Sequence, residues 1–150
     1  MRKVLILFLI TSLFVGCAKC IQHEKWAENS FYVPKLSEEQ IFEGTKKWMT
    51  MNLRSAKAVI QYENQNEGVI LGNGVIPNVR RNWDVGFTMR VDVKEKGFRI
   101  SFHNLYWKGA KGEVSFCTQR EYDEVQPILF GYGPKIHAYL TTGTEIQKSW

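Results

Sequence analysis

The chain has 150 residues, with 20 Lys and Arg against 15 Asp and Glu, three His and three Cys. That is the size of one domain with a core of its own. Its net charge of +5, with no run of more than two consecutive Lys or Arg, is too weak and too dispersed to single out a polyanionic partner.

Arg2 and Lys3 precede an apolar stretch from Val4 to Val15, interrupted only by Thr11 and Ser12 and ended by Gly16-Cys17. A short cationic start, an apolar core too brief to span a bilayer and a small residue before a cleavage point make up a signal peptide. Phe14-Val15-Gly16-Cys17 resembles the lipobox of bacterial lipoproteins, with Phe14 where leucine is usual. The resemblance implies removal of residues 1–16, a diacylglyceryl thioether on Cys17 and an amide-linked acyl chain. Two or three acyl chains, at about 0.8 kcal/mol per buried methylene, give a stable membrane anchor. The alternative is an ordinary signal peptide with an incidental cysteine. Ala18, where aspartate is absent, implies the outer membrane if the host is Gram-negative. Beyond residue 17 no apolar run approaches the ~20 residues of a membrane span.

Cleavage leaves 134 residues and an excess of three positive charges. Residues 17–30 read as a lipidated tether and 31–150 as a single domain. Phe31-Tyr32-Val33 is a short β-like run ended by Pro34. Ser37-Glu38-Glu39-Gln40 has the form of a capping box, and Ile41, Phe42, Thr45, Trp48, Met49 and Leu53 follow at helical spacing on one side. The period then changes to two. Ala56, Ala58, Ile60 and Tyr62 alternate with polar residues, Asn64 to Gly68 supply a turn, and Val69 to Ile76 resume the β pattern, which predicts a hairpin. Gly72-Asn73-Gly74 reads as a bulge or bend within it.

Pro77 to Trp83 reads as a basic loop. Two longer strands follow, Val85 to Lys94 and Phe98 to Trp107, joined by Lys94-Glu95-Lys96-Gly97, which fits a type I turn with a left-handed glycine. This pairing sets Val93 opposite Phe98 and Asp92 opposite Arg99. Phe87, Met89, Val91 and Val93 share one side, and Thr88, Arg90, Asp92 and Lys94 the other. After a break at Lys108 to Gly112, a short strand is expected from Glu113 to Cys117. A helix from Glu121 is shortened by Pro127, and a last helix has Pro134 near its start and Ile136, Leu140, Gly143 and Trp150 on one side. The pattern is α+β: helices covering one face of an antiparallel sheet.

The helix Ser37 to Trp48, the segments Ala56 to Tyr62, Glu67 to Ile70 and Gly72 to Gly74, and Phe98-Arg99-Ile100-Ser101-Phe102 together resemble a bacterial family of exported proteins, the DUF4468 domain of unknown function. The resemblance implies a TBP-like fold, a curved antiparallel sheet with helices on its convex side, as in one half of the TATA-binding protein. It implies no activity, and DNA binding is not carried over, because fold does not determine function. No nucleic acid is expected as partner of an exported lipoprotein.

Three cysteines survive signal removal, Cys17 under its lipid and Cys20 and Cys117. In an oxidising compartment these last two are candidates for a disulfide; the alternative is a buried Cys117 and an idle Cys20. His23, His103 and His137 are scattered and match no zinc spacing, so no metal is expected. There is no G-x-S-x-G elbow, phosphate loop or H-E-x-x-H helix, hence no expected cofactor or catalytic residue. Period two puts Arg90, Asp92, Arg99, Ser101, His103, Leu105 and Trp107 on one outward face. Arg90, Arg99, His103 and Trp107 there form a candidate binding face for a protein, glycan or small anionic partner; the alternative is that Asp92 and Arg99 pair and Trp107 packs under the C-terminal segment. Three classes follow: a non-catalytic lipid-anchored interaction module, an assembly component acting through residues 118–150, and an enzyme using Cys117 with His103 or His137.

Overall fold

The computed structural model describes residues 26–54 and 59–147. The signal segment, Cys17, Cys20, His23, Ala56, Ala58 and Trp150 lie outside the described residues. Six strands and three helices follow in the order β1 (Trp26–Tyr32), α1 (Glu38–Asn52), β2 (Ile60–Asn64), β3 (Val69–Arg80), β4 (Trp83–Lys94), β5 (Gly97–Gly109), β6 (Gly112–Ser115), α2 (Gln119–Phe130) and α3 (Tyr132–Gln147). The strands form one antiparallel sheet ordered β1-β5-β4-β3-β2, and β6 pairs with β5 beyond the end of β1.

Helix α1 starts as its sequence dictates. The Ser37 hydroxyl accepts from the Gln40 N–H at 3.2 Å, and the Gln40 side chain accepts from the Ser37 N–H at 2.9 Å. Ile41, Phe42, Thr45, Trp48 and Met49 are buried against the sheet. There they meet Ile70, Phe87, Met89, Val91, Val93, Phe98, Ile100 and Phe102, the inward set of β3, β4 and β5. Tyr132, opening α3, sits at the centre of this layer, with its ring 5.6 Å from Phe87 and 6.0 Å from both Phe102 and Trp48.

The β4–β5 hairpin has the expected register, Val93 opposite Phe98 and Asp92 opposite Arg99. Its turn differs in one respect: the left-handed residue is Lys96 (φ 64°), not Gly97. Gly97 is needed instead for a close approach, since a Cβ there would sit 2.5 Å from the carbonyl oxygen of Phe31 on β1. The β2–β3 turn closes on Gly68 at φ 65°, which glycine adopts without strain.

Three boundaries move. Strand β1 runs from Trp26, upstream of the β-like run Phe31 to Val33 read in the sequence. β1 pairs along β5 from Tyr32↔Gly97 to Trp26↔Phe102, with a bulge that places Ala27 at φ 52° and breaks the alternation a periodic strand would show. The basic loop is the end of a β-ribbon: β3 continues to Arg80, past a kink at Asn78, and turns through Arg81-Asn82 into β4. Pro127 does not shorten α2, which runs on to Phe130. The bond lost by its missing N–H is one that the exposed Asp123 carbonyl can make to water. Pro134 lies in the first turn of α3, where an N–H has no helical partner to lose.

Candidate interaction face and a corner beneath it

Among the described residues, the helices pack on one face of the sheet and leave the other open. On β4 the open face carries Gly86, Thr88, Arg90, Asp92 and Lys94; on β5 it carries Arg99, Ser101, His103, Tyr106 and Lys108. Asp92 is its electrostatic centre. Arg90 donates from Nε at 2.9 Å and Nη2 at 2.7 Å to Asp92 Oδ1, and Arg99 Nη2 donates to Oδ2 at 3.3 Å. Burial pushes the Asp92 carboxyl up, but the bonds and charges of Arg90 and Arg99 outweigh it and hold the group below its ordinary value of 3.8. Arg99 Nη1 also lies 3.8 Å from Glu28 on β1. The Ser101 hydroxyl and His103 Nε2 are 3.2 Å apart, and Asn104 donates to Thr88, which donates to Asn73. The result is a polar platform of three bonded groups across four strands.

Trp107 is not on this platform. Opposite Phe87, between the pairs Thr88↔His103 and Gly86↔Tyr106, β5 has one residue more than β4, and Asn104 there is left-handed at φ 50°. The extra residue reverses the alternation, so Leu105 and Trp107 turn inward with Val85, at 6% and 4% exposure. Of the four face candidates, Arg90, Arg99 and His103 lie together and Trp107 lies behind them, under the C-terminal segment.

Trp107 instead forms a corner that sequence reasoning missed. Its ring stacks on Phe116, with centroids 4.9 Å apart, while the Arg80 guanidinium lies 4.2 Å over it. Its indole Nε1–H donates to Glu121 Oε1 at 2.8 Å. Glu121 Oε2 accepts from the backbone N–H groups of Cys117 and Thr118, both at 2.8 Å, and from the Thr118 hydroxyl. Burial pushes the Glu121 carboxyl up, and these donors more than reverse it, leaving the group below its ordinary value. Arg80 donates Nε–H and Nη2–H to Glu124, whose pKa is lowered chiefly by those bonds. The available sequence signal was Thr118-Gln119-Arg120-Glu121, a second S/T-x-x-E pattern. Cys117, next to this corner, is disulfide-bonded, so it offers no thiolate to His103 or His137. His137 Nε2 lies 3.1 Å from the Tyr32 carbonyl oxygen, on the helix side. Among the described residues no three His, Cys, Asp or Glu groups come together as a metal site, and no helix is long and apolar enough to cross a membrane.

The profile of DUF4468, a domain of unknown function with a TBP-like fold, matches residues 26–108. The chain belongs to this family. The match begins where β1 begins and ends one residue before the end of β5, so it contains the platform and the Trp107 side of the corner but not Glu121 or Glu124. The fold is similar to that of a DUF4468 family protein from Bacteroides ovatus ATCC 8483, at 15% identity and TM-score 0.59 over 85% of this chain and 90% of that one. It is also similar to a TBP-like protein from Parabacteroides distasonis ATCC 8503, at 11% identity and TM-score 0.57 over 85% and 97%. No match was found among functionally curated proteins. These likenesses extend the common fold beyond residue 108 to the C-terminal helices and say nothing of activity.

Proposed function

We propose that this DUF4468 protein is exported, anchored to the bacterial envelope by lipid on Cys17, and acts as a non-catalytic interaction module whose open sheet face receives a protein, glycan or small anionic partner. The observation that carries the face is the co-location of Arg90, Arg99 and His103 on the side of the sheet away from the helices. Asp92 orients both guanidinium groups without removing them from solvent: the arginine side chains remain 40% and 43% exposed. Arg90 uses Nε and Nη2 on Asp92, which leaves Nη1 outside the pair for an incoming acceptor. Support for export comes from the lipobox-like Phe14 to Cys17 and from the disulfide at Cys117, a bond that persists in oxidising compartments.

The face is tested by crosslinking in living cells from benzoylphenylalanine placed at His103, with Glu39 on α1 as the control position. Defined adducts from His103 that disappear in an Arg90→Ala/Arg99→Ala background support the reading. Equal adducts from both positions, or His103 adducts indifferent to the two arginines in a folded domain, would reject it.

A further inference from the structure

The open face of the sheet is not flat. Gly97 belongs to its outward set, opposite Lys94 on β4 and Tyr32 on β1, and has no side chain to fill its place. The next row along the strands is Ser30, Arg99 and Asp92, paired across β1, β5 and β4. Around Gly97 the face therefore carries a hollow of about 240 Å³, walled by Ser30, Asp92, Lys94 and Arg99, with Phe31 and Phe98 beneath. Those two rings stack on the helix side, with centroids 5.1 Å apart. Because β1 docks with the Phe31 carbonyl against Gly97, a larger residue cannot close the hollow from below.

The walls of this hollow hold donors that lack acceptors. Arg90 meets Asp92 at 2.7 and 2.9 Å, the length of a charge-assisted bond, whereas Arg99 reaches Asp92 only at 3.3 Å and Glu28 only at 3.8 Å. Arg99 Nε is buried and has no partner among the described residues. Asp92 thus positions the Arg99 guanidinium without satisfying it. Lys94 is exposed and enters no ion pair among the described residues, and the exposed Ser30 hydroxyl makes no hydrogen bond there. The charges of this end of the sheet are mixed. On the open face Arg90, Lys94 and Arg99 stand against Glu28 and Asp92; at the turns Glu67 acts on Arg90, and Glu95 pairs with Lys96 at 3.8 Å. Lys35, Glu38 and Glu39 belong to the connection into α1 and its first turn. No net field therefore draws a polyanion here, and a dianion would be opposed by Asp92 and Glu28. The donors suit one group with a single negative charge and two acceptor oxygens. Tyr32, 66% exposed on the far side of Gly97 from Lys94, offers a ring to the carbon body of such a ligand.

We infer that the hollow over Gly97 binds an organic carboxylate, whose oxygens are taken by Arg99, Lys94 and the Ser30 hydroxyl and whose carbon body lies against Tyr32. The inference rests on the open-face reading above and names the class of its small anionic partner. On binding, Arg99 gives up its long contact with Asp92 for a shorter one to the ligand, while Arg90 keeps Asp92 paired, so no buried carboxylate is left bare. A neutral ligand of the same shape leaves the donors of Lys94 and Arg99 without their charged acceptor and is rejected.

The test titrates the full chain, labelled with nitrogen-15, and follows its backbone amide shifts. The probes are N-acetylphenylalanine, its uncharged amide and inorganic phosphate. N-acetylphenylalanine should move the amides of Ser30, Lys94, Gly97 and Arg99 saturably, with a Kd on the order of 1 mM. Lys94→Ala, a change at an exposed position that leaves the spectrum of the folded domain in place, should weaken it roughly fivefold, and Arg99→Ala more. The uncharged amide should give no saturable change, and phosphate a weaker one. An equal response to the amide or to phosphate, an affinity unchanged in Lys94→Ala, or shifts gathered at Arg90 and His103 without Ser30 and Gly97 would overturn the carboxylate site. No response to any probe overturns it too: alone if the crosslinks from His103 still depend on Arg90 and Arg99, and together with the open-face reading if they do not.

Discussion

Two carboxylate-centred clusters lie on opposite faces of the same hairpin and do different things. Asp92 gathers Arg90, two residues away, and Arg99, its cross-strand partner, into a pair that the β4–β5 ladder alone would assemble. Glu121 and Glu124 reach from α2 to Trp107 and to Arg80, 14 and 44 residues distant, and thereby bind the C-terminal helices to the end of the sheet. The first cluster is half-exposed and local, which suits recognition and contributes little to stability. The second surrounds a buried indole and closes a long loop, so the fold depends on it. A single inserted residue, Asn104, decides which cluster receives Trp107.

The sharpest way to break this comparison is to delete Asn104. Restoring simple alternation would turn Leu105 and Trp107 to solvent, and we expect loss of cooperative folding, a destabilisation above about 4 kcal/mol, read by urea unfolding. Asn104→Gly keeps the left-handed residue and should unfold within about 1 kcal/mol of the parent. Next in size, Trp107→Ala removes the stacked indole and should cost about 3–5 kcal/mol by the same measurement.

Glu121→Gln leaves the shape of the corner but weakens an ionised acceptor of three N–H groups, at about 1.5–3 kcal/mol. It also supplies a pH test. The Glu121 carboxyl titrates lower in the folded protein than its ordinary 4.5, so its contribution is fully present above that value and is lost as pH falls through the depressed one. Stability of the parent should therefore fall steeply below pH 4.5, and that of Glu121→Gln less steeply. An equal acid slope in both proteins would assign the acid sensitivity elsewhere. Smallest of all, Arg90→Ala should cost about 1 kcal/mol or less. A loss comparable to that of Trp107→Ala would erase the distinction between the clusters.

The contrast also marks what was legible in the sequence. The α1 capping box, its buried stripe and the Asp92↔Arg99 register each arise from neighbours at fixed spacing, which residue patterns report directly. Period two does not reveal Asn104, because an extra residue changes the phase without changing the composition of the strand, and simple alternation therefore puts Trp107 on the face opposite to the one it occupies. The start of β1 was hidden by the bulge at Ala27. Lys96 took the left-handed turn position because Gly97 was required against Phe31, a constraint set by a strand 66 residues earlier. Arg80 has the sequence surroundings of a loop, since its partners, Trp107 and Glu124, are brought to it only by the completed sheet.

We propose that this domain works at the envelope, held there by its own lipid. The most direct test is intact mass with membrane fractionation of the protein made with its native signal, beside Cys17→Ala. We predict a membrane-bound product cleaved before Cys17 and carrying acyl chains, and a variant without lipid that leaves the membrane fraction. An unlipidated soluble product from both genes would contradict the claim.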